Sequence, residues 1–542
     1  MTLALSVPNL SERQPEDMEL QPSKVKKWLD ELPLLNMAET SLKLFTTLSL
    51  HNRTAFDDHN RMQLLELFRG PVIQTTRELS KQFIALPLPL SEKHKTIAEQ
   101  NRQFHLEMAN GYKRIVLNSA NVSGNRKEQV MLALALQRAL RHLTGALVAS
   151  YEAYAPSPHE AWKEIHALYL YAEEHGLLQN EVDDPLNKSV EKSSILHAYL
   201  QALLLDFSDP YHLPPRMIGQ IHHYLDRWAT LATLTEYTSN RKPTCQFLID
   251  QTRDRAGIGY TTNTETEPAG KYRLLDTTGL VRQIHAQLKQ ILAGEIPPAD
   301  GLYENFFHEC GQDLLRRLVS AWGINPQRGF RRNQRNDLRM DIAVGLDAVN
   351  YWINGGKKFV VSSSFVGPMP LRTQISMEER KPTTTYLPER EYSTWDVEDE
   401  SAGGLSLSKT DPIRPPVQVG DLVISRRPGE GGAWSVGIIR WVKGVTSAKL
   451  EIGVQHLAPN AEPVVIKTLS EKNVESDFLP ALLLPEIKPL KQPQTLITHR
   501  GVCKRGIAVF MDNGYHLYRI MPTRLLASSH AFEQFQFDIL NN

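Results

Sequence analysis

Five arginines fall within twelve residues, Arg328, Arg331, Arg332, Arg335 and Arg339, against the single acid Asp337. Some sixty residues further on stands Asp399-Glu400-Ser401-Ala402-Gly403-Gly404, an acid-x-Ser-x-x-Gly turn. A guanidinium fork bonds a phosphate, or the O6/N7 edge of guanine, with two parallel hydrogen bonds, and its plane stacks on a base. Arg331 and Arg335, spaced RxxxR, can therefore close on one anionic ligand from two sides. An ionised Asp399 only accepts, which suits the N1–H and N2–H₂ donors of guanine. Ser401 adds a small hydroxyl, and Gly403 and Gly404 allow close backbone approach and unusual dihedrals. The pair asks for a guanine nucleotide carrying phosphates.

Both motifs need strands to hold them. Leu338, Met340, Ile342 and Val344 alternate after the arginines, as a half-buried strand requires. Further strands are predicted at Tyr392–Val397, Leu405–Leu407, Asp421–Ser425, Trp434–Val442 and Lys449–Leu457, a spacing that fits a small barrel. A second β unit is predicted from Gln494–Thr498, Ile507–Met511, Tyr515–Ile520 and Phe535-x-Phe537-x-Ile539. Upstream the texture is helical. Val130–Tyr151 and Met62–Phe68 carry apolar residues at three- and four-residue intervals, and Ser157-Pro158 followed by Gly176 reads as the start and stop of another helix. Arg138, Arg141 and His142 keep the most apolar of these helices from being an easy membrane span.

The fold class expected is multidomain α + β: a helical bundle or solenoid, a small β-barrel and a second C-terminal β unit. The boundaries expected are a flexible tail at 1–22, a helical domain at 23–237, a mixed and helical connector at 238–327, the barrel at 328–460 and the last unit at 461–542. A long loop or inserted hairpin is expected near 357–390.

The chain's 542 residues carry 61 basic and 61 acidic side chains, so an electrostatically driven, non-specific nucleic-acid binder is disfavoured. Cys245, Cys310 and Cys503 are too few and too scattered for a disulfide framework or a thiolate zinc site, and with no signal-like N-terminus the expected location is cytoplasmic. His159, His166, His222 and His223 have no second ligand at metal spacing and read as packing or surface histidines. Gly429-x-Gly431-Gly432 precedes a strand and reads as a hairpin turn, not a phosphate loop. Trp162, Tyr169 and Trp228 read as helical core.

RxxxR, an alternating strand, DxSxxG and the alternating Leu405-x-Leu407 together resemble the PilZ domain, the bacterial receptor module for cyclic di-GMP. Val419-Gly420-Asp421 and Ile452-Gly453-Val454 match that family's later strands, and the resemblance covers residues 328–460. It implies that Arg331 and Arg335 grip phosphates and guanine edges, and that Asp399 and Ser401 read a guanine from the barrel surface. Gly404 would keep the turn open, with Arg332, Arg339 and Gly403 as auxiliaries. Arg335 and Arg339 form a second RxxxR, so two registers stand open, and the gap to Asp399 is longer than the family usually shows. The expected role is a non-enzymatic cyclic di-GMP receptor that needs no cofactor or metal and signals to a protein partner through its helical region. A scaffold with a degenerate barrel, and an RNA-associated protein stacking bases on Phe330, are the rival readings.

Overall fold

Helical periodicity in the first half of the chain folds into α1 (Pro22–Asp30), α2 (Met37–Asn52), α3 (Asp58–Ser80), α4 (Glu92–Ser119), α5 (Arg126–Glu152), α6 (Ala161–Glu174), α7 (Ile195–Asp206) and α8 (Met217–Trp228). The computed structural model describes residues 3–11, 19–33, 36–119, 126–238, 244–261, 264, 266, 271–323, 333–335, 337–361, 391–410, 412–429, 433–446, 448–468, 478–487 and 492–540. Its contacts divide the chain into two units, Met1–Leu86 with Leu90–Gln327, and Pro87–Pro89 with Arg328–Asn542.

In the first unit α4 and α5 pack along each other and bury Phe104, Met108, Tyr112, Leu136, Leu140 and Leu143 in one bundle core. A ribbon of β1 (Glu181–Asp183) and β2 (Lys192–Ser194) sits between α6 and α7 in the chain. Then come β3 (Thr233–Glu236), β4 (Gln246–Asp250), β5 (Ile258–Gly259) and β6 (Tyr272–Asp276), an antiparallel sheet in the order β3-β6-β4-β5. α9 (Thr278–Leu292) and α10 (Phe306–Gly323) follow, the latter broken at Gly311 (φ 57°, ψ −165°). Phe247, Ile249, Leu275, Leu280, Leu314 and Trp322 belong to the same buried cluster as the bundle, so the stretch expected as a connector is part of its core.

Two local expectations are corrected here. The tail expected at 1–22 contains a packed stretch: Leu3 and Leu5 rest on the bundle core, and Ser6 N–H donates to Glu164 Oε1 at 2.7 Å. The helix expected to start at Ser157-Pro158 starts instead at Ala161, after Glu160 in left-handed conformation (φ 60°). Its free N–H groups are satisfied from a distant loop, Trp162 and Lys163 donating to Asp254 Oδ1 at 3.0 and 3.3 Å. The stop at Gly176 (φ +68°) is as read.

Charged residues on α5 point into a buried polar network. Arg138 donates to Asp184 Oδ2 at 3.0 Å and Glu66 Oε1 at 3.2 Å, while Arg69 reaches Asp184 Oδ1 at 2.7 Å and Glu66 Oε2 at 2.9 Å. Tyr112 O–H donates to Glu66 Oε1 at 2.6 Å. Each charge has a partner, which is the condition for keeping it out of water. Among the described residues no helix is long and apolar enough to cross a membrane. Trp162 and Tyr169 are buried, as is His166, whose ring nitrogens meet the Tyr199 hydroxyl (2.8 Å) and the Arg255 carbonyl (2.9 Å).

In the second unit, β7 (Asn333–Gln334), β8 (Arg339–Val344), β9 (Tyr392–Ser401), β10 (Gly404–Thr410), β11 (Leu422–Arg426), β12 (Ser435–Gly444) and β13 (Lys449–Ala458) form one antiparallel sheet. It runs β10-β13-β12-β11-β8-β9-β7, and β9 also pairs with β10, so six strands close into a barrel with β7 attached to β9. The second barrel closes as β14-β15-β16-β19-β18-β17 from β14 (Glu462–Thr468), β15 (Leu479–Leu484), β16 (Thr495–His499), β17 (Val509–Asp512), β18 (Leu517–Ser528) and β19 (Phe532–Ile539). The expected strands are present in both, with shifted ends.

One element had no counterpart in the sequence reading: α11 (Leu346–Ile353) leaves β8 and lies between the barrels. Its Leu346 and Val349 share a buried cluster with Leu422, Ile424, Val436 and Ile438 of the first barrel and Leu482, Leu484, Ile497 and Phe532 of the second. Asn350 is buried, and its Nδ2 donates to the carbonyls of Val464 (2.9 Å) and Ala481 (2.8 Å). His530 pairs with Asp421 at 3.1 Å beside this core.

Replacing Asn350→Leu keeps the volume but strips two buried carbonyls of their donor. It should lower stability by about 1–3 kcal/mol, read as a fall in the melting transition of the barrels; an unchanged transition would show the wedge to be dispensable. A second expectation concerns acid. Burial pushes His105, His166 and His222 down to about 4, from about 6.5 in the unfolded chain. The unfolded chain therefore takes up protons first, so the histidine contribution is complete above about pH 6.5 and is lost as pH falls toward about 4. Thermal melts followed by circular dichroism should show Tm dropping by at least about 5 °C between pH 7 and pH 4.5.

Candidate functional site

β9 brings the two sequence motifs together. Asn333 and Gln334 of β7 pair with Glu400 and Asp399, and Arg335 N–H donates to the Glu398 carbonyl at 3.2 Å. β8 pairs with the first half of the same edge, Arg339 opposite Asp396 and Ala343 opposite Tyr392. The arginine segment is thus a continuation of β8 along β9, with Asp337 at positive φ (78°) where the two meet. Arg331 and Arg332 lie outside the described residues, as do Phe330, Gly431 and Gly432 and most of the long loop expected at 357–390. That loop rejoins at Tyr392, seven residues up β9 from Asp399, about 23 Å away at 3.3 Å per residue. The motifs therefore meet at the opposite end of β9 from its first residue.

Strand register then decides which way each side chain faces. Trp395 and Val397 are buried inward, and simple alternation would send Asp399 after them. The pairing with β10 skips Glu398: Leu407 lies opposite Val397 but Ser406 lies opposite Asp399. This bulge reverses the parity and sets Asp399 on the outer face with Ser406. β12 repeats the device. Ile439 is opposite Val454 and Trp441 is opposite Gly453, Arg440 being the extra residue. Since Ser406 is opposite Gly453, one outer row crosses five strands: Gln334, Asp399, Ser406, Gly453, Trp441. The opposite outer face, at β8, β11 and the start of β12, is the one covered by α11 and the second barrel.

Two glycines in this region are there for space. A Cβ on Gly404 would overlap the Val454 carbonyl oxygen, and one on Gly453 would overlap the Trp441 indole, which lies on that backbone. Neither has positive φ, so the unusual dihedral expected at Gly404 is not the reason for it, while the close approach is. Ser401 O–H donates to the Gly404 carbonyl at 3.3 Å, closing the hairpin through Ala402 and Gly403. His456 N–H holds the Gly403 carbonyl at 3.1 Å from the neighbouring strand.

Charges around the row are arranged in exposed pairs. Arg335 Nε meets Glu400 Oε2 at 3.3 Å, Arg339 Nε meets Asp396 Oδ1 at 3.2 Å, and Lys449 Nζ meets Glu398 Oε1 at 2.9 Å. The hydrogen bond from Lys449 holds the Glu398 carboxyl below its ordinary range. Of the two arginine registers, Arg335 meets the residues on either side of Asp399, Glu398 by its backbone and Glu400 by its side chain, while Arg339 begins a barrel strand opposite Asp396. Trp441 was missed from the sequence because only the bulge at Arg440 turns it outward.

A six-stranded barrel with an arginine segment and an acid-x-Ser-x-x-Gly hairpin on the two sides of one strand defines a PilZ domain. Comparison with known proteins agrees along the whole chain. The family models for the N-terminal domain of the cyclic-di-GMP receptor FimW, its middle PilZ domain and its C-terminal β-barrel domain match residues 23–240, 246–381 with 368–463, and 464–540. A curated relative, the cyclic-di-GMP receptor FimW of Pseudomonas aeruginosa, is 27% identical over 577 residues, covering 99% of this chain and 93% of its own. The chain belongs to this family of PilZ-domain cyclic-di-GMP receptors. No solved structure matches it.

The two glycines should respond differently to alanine. Gly404→Ala pushes against a barrel carbonyl that cannot move, and is expected to cost about 1–3 kcal/mol. Gly453→Ala meets a side chain that can swing away, so stability should change little while Trp441 fluorescence shifts. Equal losses of stability at both positions would contradict the packing described.

Proposed function

We propose that the outer row of the first barrel binds cyclic di-GMP and that the chain is a receptor for it. The observation that carries this reading is the meeting of the arginine segment with the acid hairpin on β9: Gln334 lies opposite Asp399, Arg335 N–H bonds to the neighbouring Glu398 carbonyl, and an aromatic face, Trp441, stands at the far end of the row of Asp399. Arg331 and Arg335 would hold phosphates and the O6/N7 edges of guanine, with Arg332, Arg339 and Gly403 assisting. Asp399 would accept from the guanine N1–H and N2–H₂, Ser401 would add a hydroxyl, and Gly404 would keep the hairpin low enough for the base to approach. Trp441 offers a stacking surface of the kind worth about 1–3 kcal/mol per base. The name of the Pseudomonas relative supports the same ligand.

The resting contacts favour exchange. The Arg335–Glu400 pair is solvent-exposed on both sides, and such a pair is worth about 0–1 kcal/mol. A bidentate phosphate contact is stronger, so ligand displaces the carboxylate at little cost. Among the described residues β7 pairs with β9 through Asn333 and Gln334, with Arg335 N–H on the Glu398 carbonyl, so the arginine segment can re-seat over a ligand without opening the six-stranded barrel. Ligand then shifts the population toward the closed segment, to the extent that it binds that state better. No bond is made or broken in this scheme, and no cofactor or metal is needed. The signal would pass in the cytoplasm to a protein partner of the helical unit.

Isothermal titration with cyclic di-GMP tests the reading. Binding at micromolar ligand or below is expected. Arg335→Ala and Asp399→Ala should each weaken it by at least about tenfold, as loss of a charge-assisted contact predicts, and Trp441→Ala by about five- to tenfold. Silence at millimolar ligand would leave the scaffold reading in its place, and salt-sensitive binding of RNA without cyclic di-GMP would favour the RNA reading.

A further inference from the structure

Residues 3–11 cross the helical unit as an extended segment. Leu3, Leu5 and Val7 are half-buried while Ala4 and Ser6 are exposed, the alternation of a strand laid in a groove. Leu3 and Leu5 rest on the bundle core. Ser6 N–H donates to Glu164 Oε1 of α6 at 2.7 Å, Arg114 of α4 donates to the Pro8 carbonyl, and Ser11 N–H donates to the Arg53 carbonyl at the end of α2 at 2.7 Å. The groove therefore reads both an apolar pattern and backbone polar groups of an extended chain.

Its floor is a buried ion pair. Lys113 Nζ lies 2.9 and 2.7 Å from the two oxygens of Glu164, with the two side chains 4% and 10% exposed. This pair links α4 to α6 at the cost of desolvating two charges. A carboxylate fixed by a lysine and aimed at a backbone N–H is useful for recognising a peptide. Leu10, near the end of the segment, is 42% exposed.

We propose that this groove of the helical unit is a docking site for an extended segment of a partner protein, and that residues 3–11 occupy it in cis as a displaceable strap. The partner segment would present apolar residues at alternate positions, with a free backbone N–H at the position of Ser6. The tether gives the strap a high effective concentration, so it screens out weak competitors. This proposal does not depend on the nucleotide reading, since every contact in it lies within the helical unit.

A fluorescein-labelled peptide of sequence LALSVPNLS tests it, titrated into the full chain and into the full chain carrying Leu3→Asp and Leu5→Asp. The variant should bind the peptide at least about tenfold more tightly than the unaltered chain, because the cis competitor is loosened. A peptide with proline at the serine position, which lacks that N–H, should bind the variant about tenfold less well. Equal binding by the two chains, or no binding by either, overturns the proposal. If the variant does not fold, hydrogen exchange on the unaltered chain decides: saturating peptide should speed exchange at Ser6 and Ser11, and unchanged exchange overturns it.

Discussion

One inserted residue in β9 sets the geometry on which the proposed ligand face depends. Glu398 has no partner position in β10, and everything after it in the strand is turned over. Trp395 and Val397 stay in the barrel core while Asp399 comes to the surface, beside the arginine segment that pairs on the other edge of the strand. The extra residue at Arg440 does the same for Trp441 from the far side. Two small irregularities thus convert a closed barrel, whose strands alternate inward and outward, into a surface with a polar end and an aromatic end in one row. The other outer face, at β8, β11 and the start of β12, is covered by α11 and the second barrel, so it lies apart from the row, which takes the later part of β12.

Much of this was legible from the chain alone, and the parts that were not share a cause. Alternating strands after Arg339 and around Leu405, Ile424, Ile439 and Ile452 carry a strong local signal, because one face of each is buried. The motif residues were legible for a similar reason: Asp399, Ser401 and Gly404 lie within six residues of each other in one hairpin. What failed depends on distant parts of the chain. Asp254 caps α6, so the tempting Ser157-Pro158 start carries no helix. α11 is a short helix held by residues of two barrels. Trp441 reads as an inward position in an apolar strand until the partner strand shows the skipped residue.

The helical unit shows how a buried charge can be kept. Arg69 and Arg138 share the two carboxylates of Glu66 and Asp184, and Tyr112 donates to the first of these. Replacing such a group with apolar residues can be neutral, but removing one member leaves the others unpaired in a low dielectric. The buried histidines behave differently. They are neutral and packed, so acid acts on them by forcing charge onto a buried ring.

The wedge at Asn350 has a further meaning for how the second unit is partitioned. Family boundaries fall between residues 463 and 464, at the start of the strand whose carbonyl Asn350 holds. A cut there divides two recurring sequence modules, but it does not divide two cores: Leu482, Leu484 and Phe532 complete the packing of Leu422 and Ile424. Sequence ancestry and cooperative unfolding therefore draw different borders in this chain. The two barrels are separate modules in inheritance and one body in thermodynamics, so an excised first barrel would expose an apolar flank that in the intact chain is never wet.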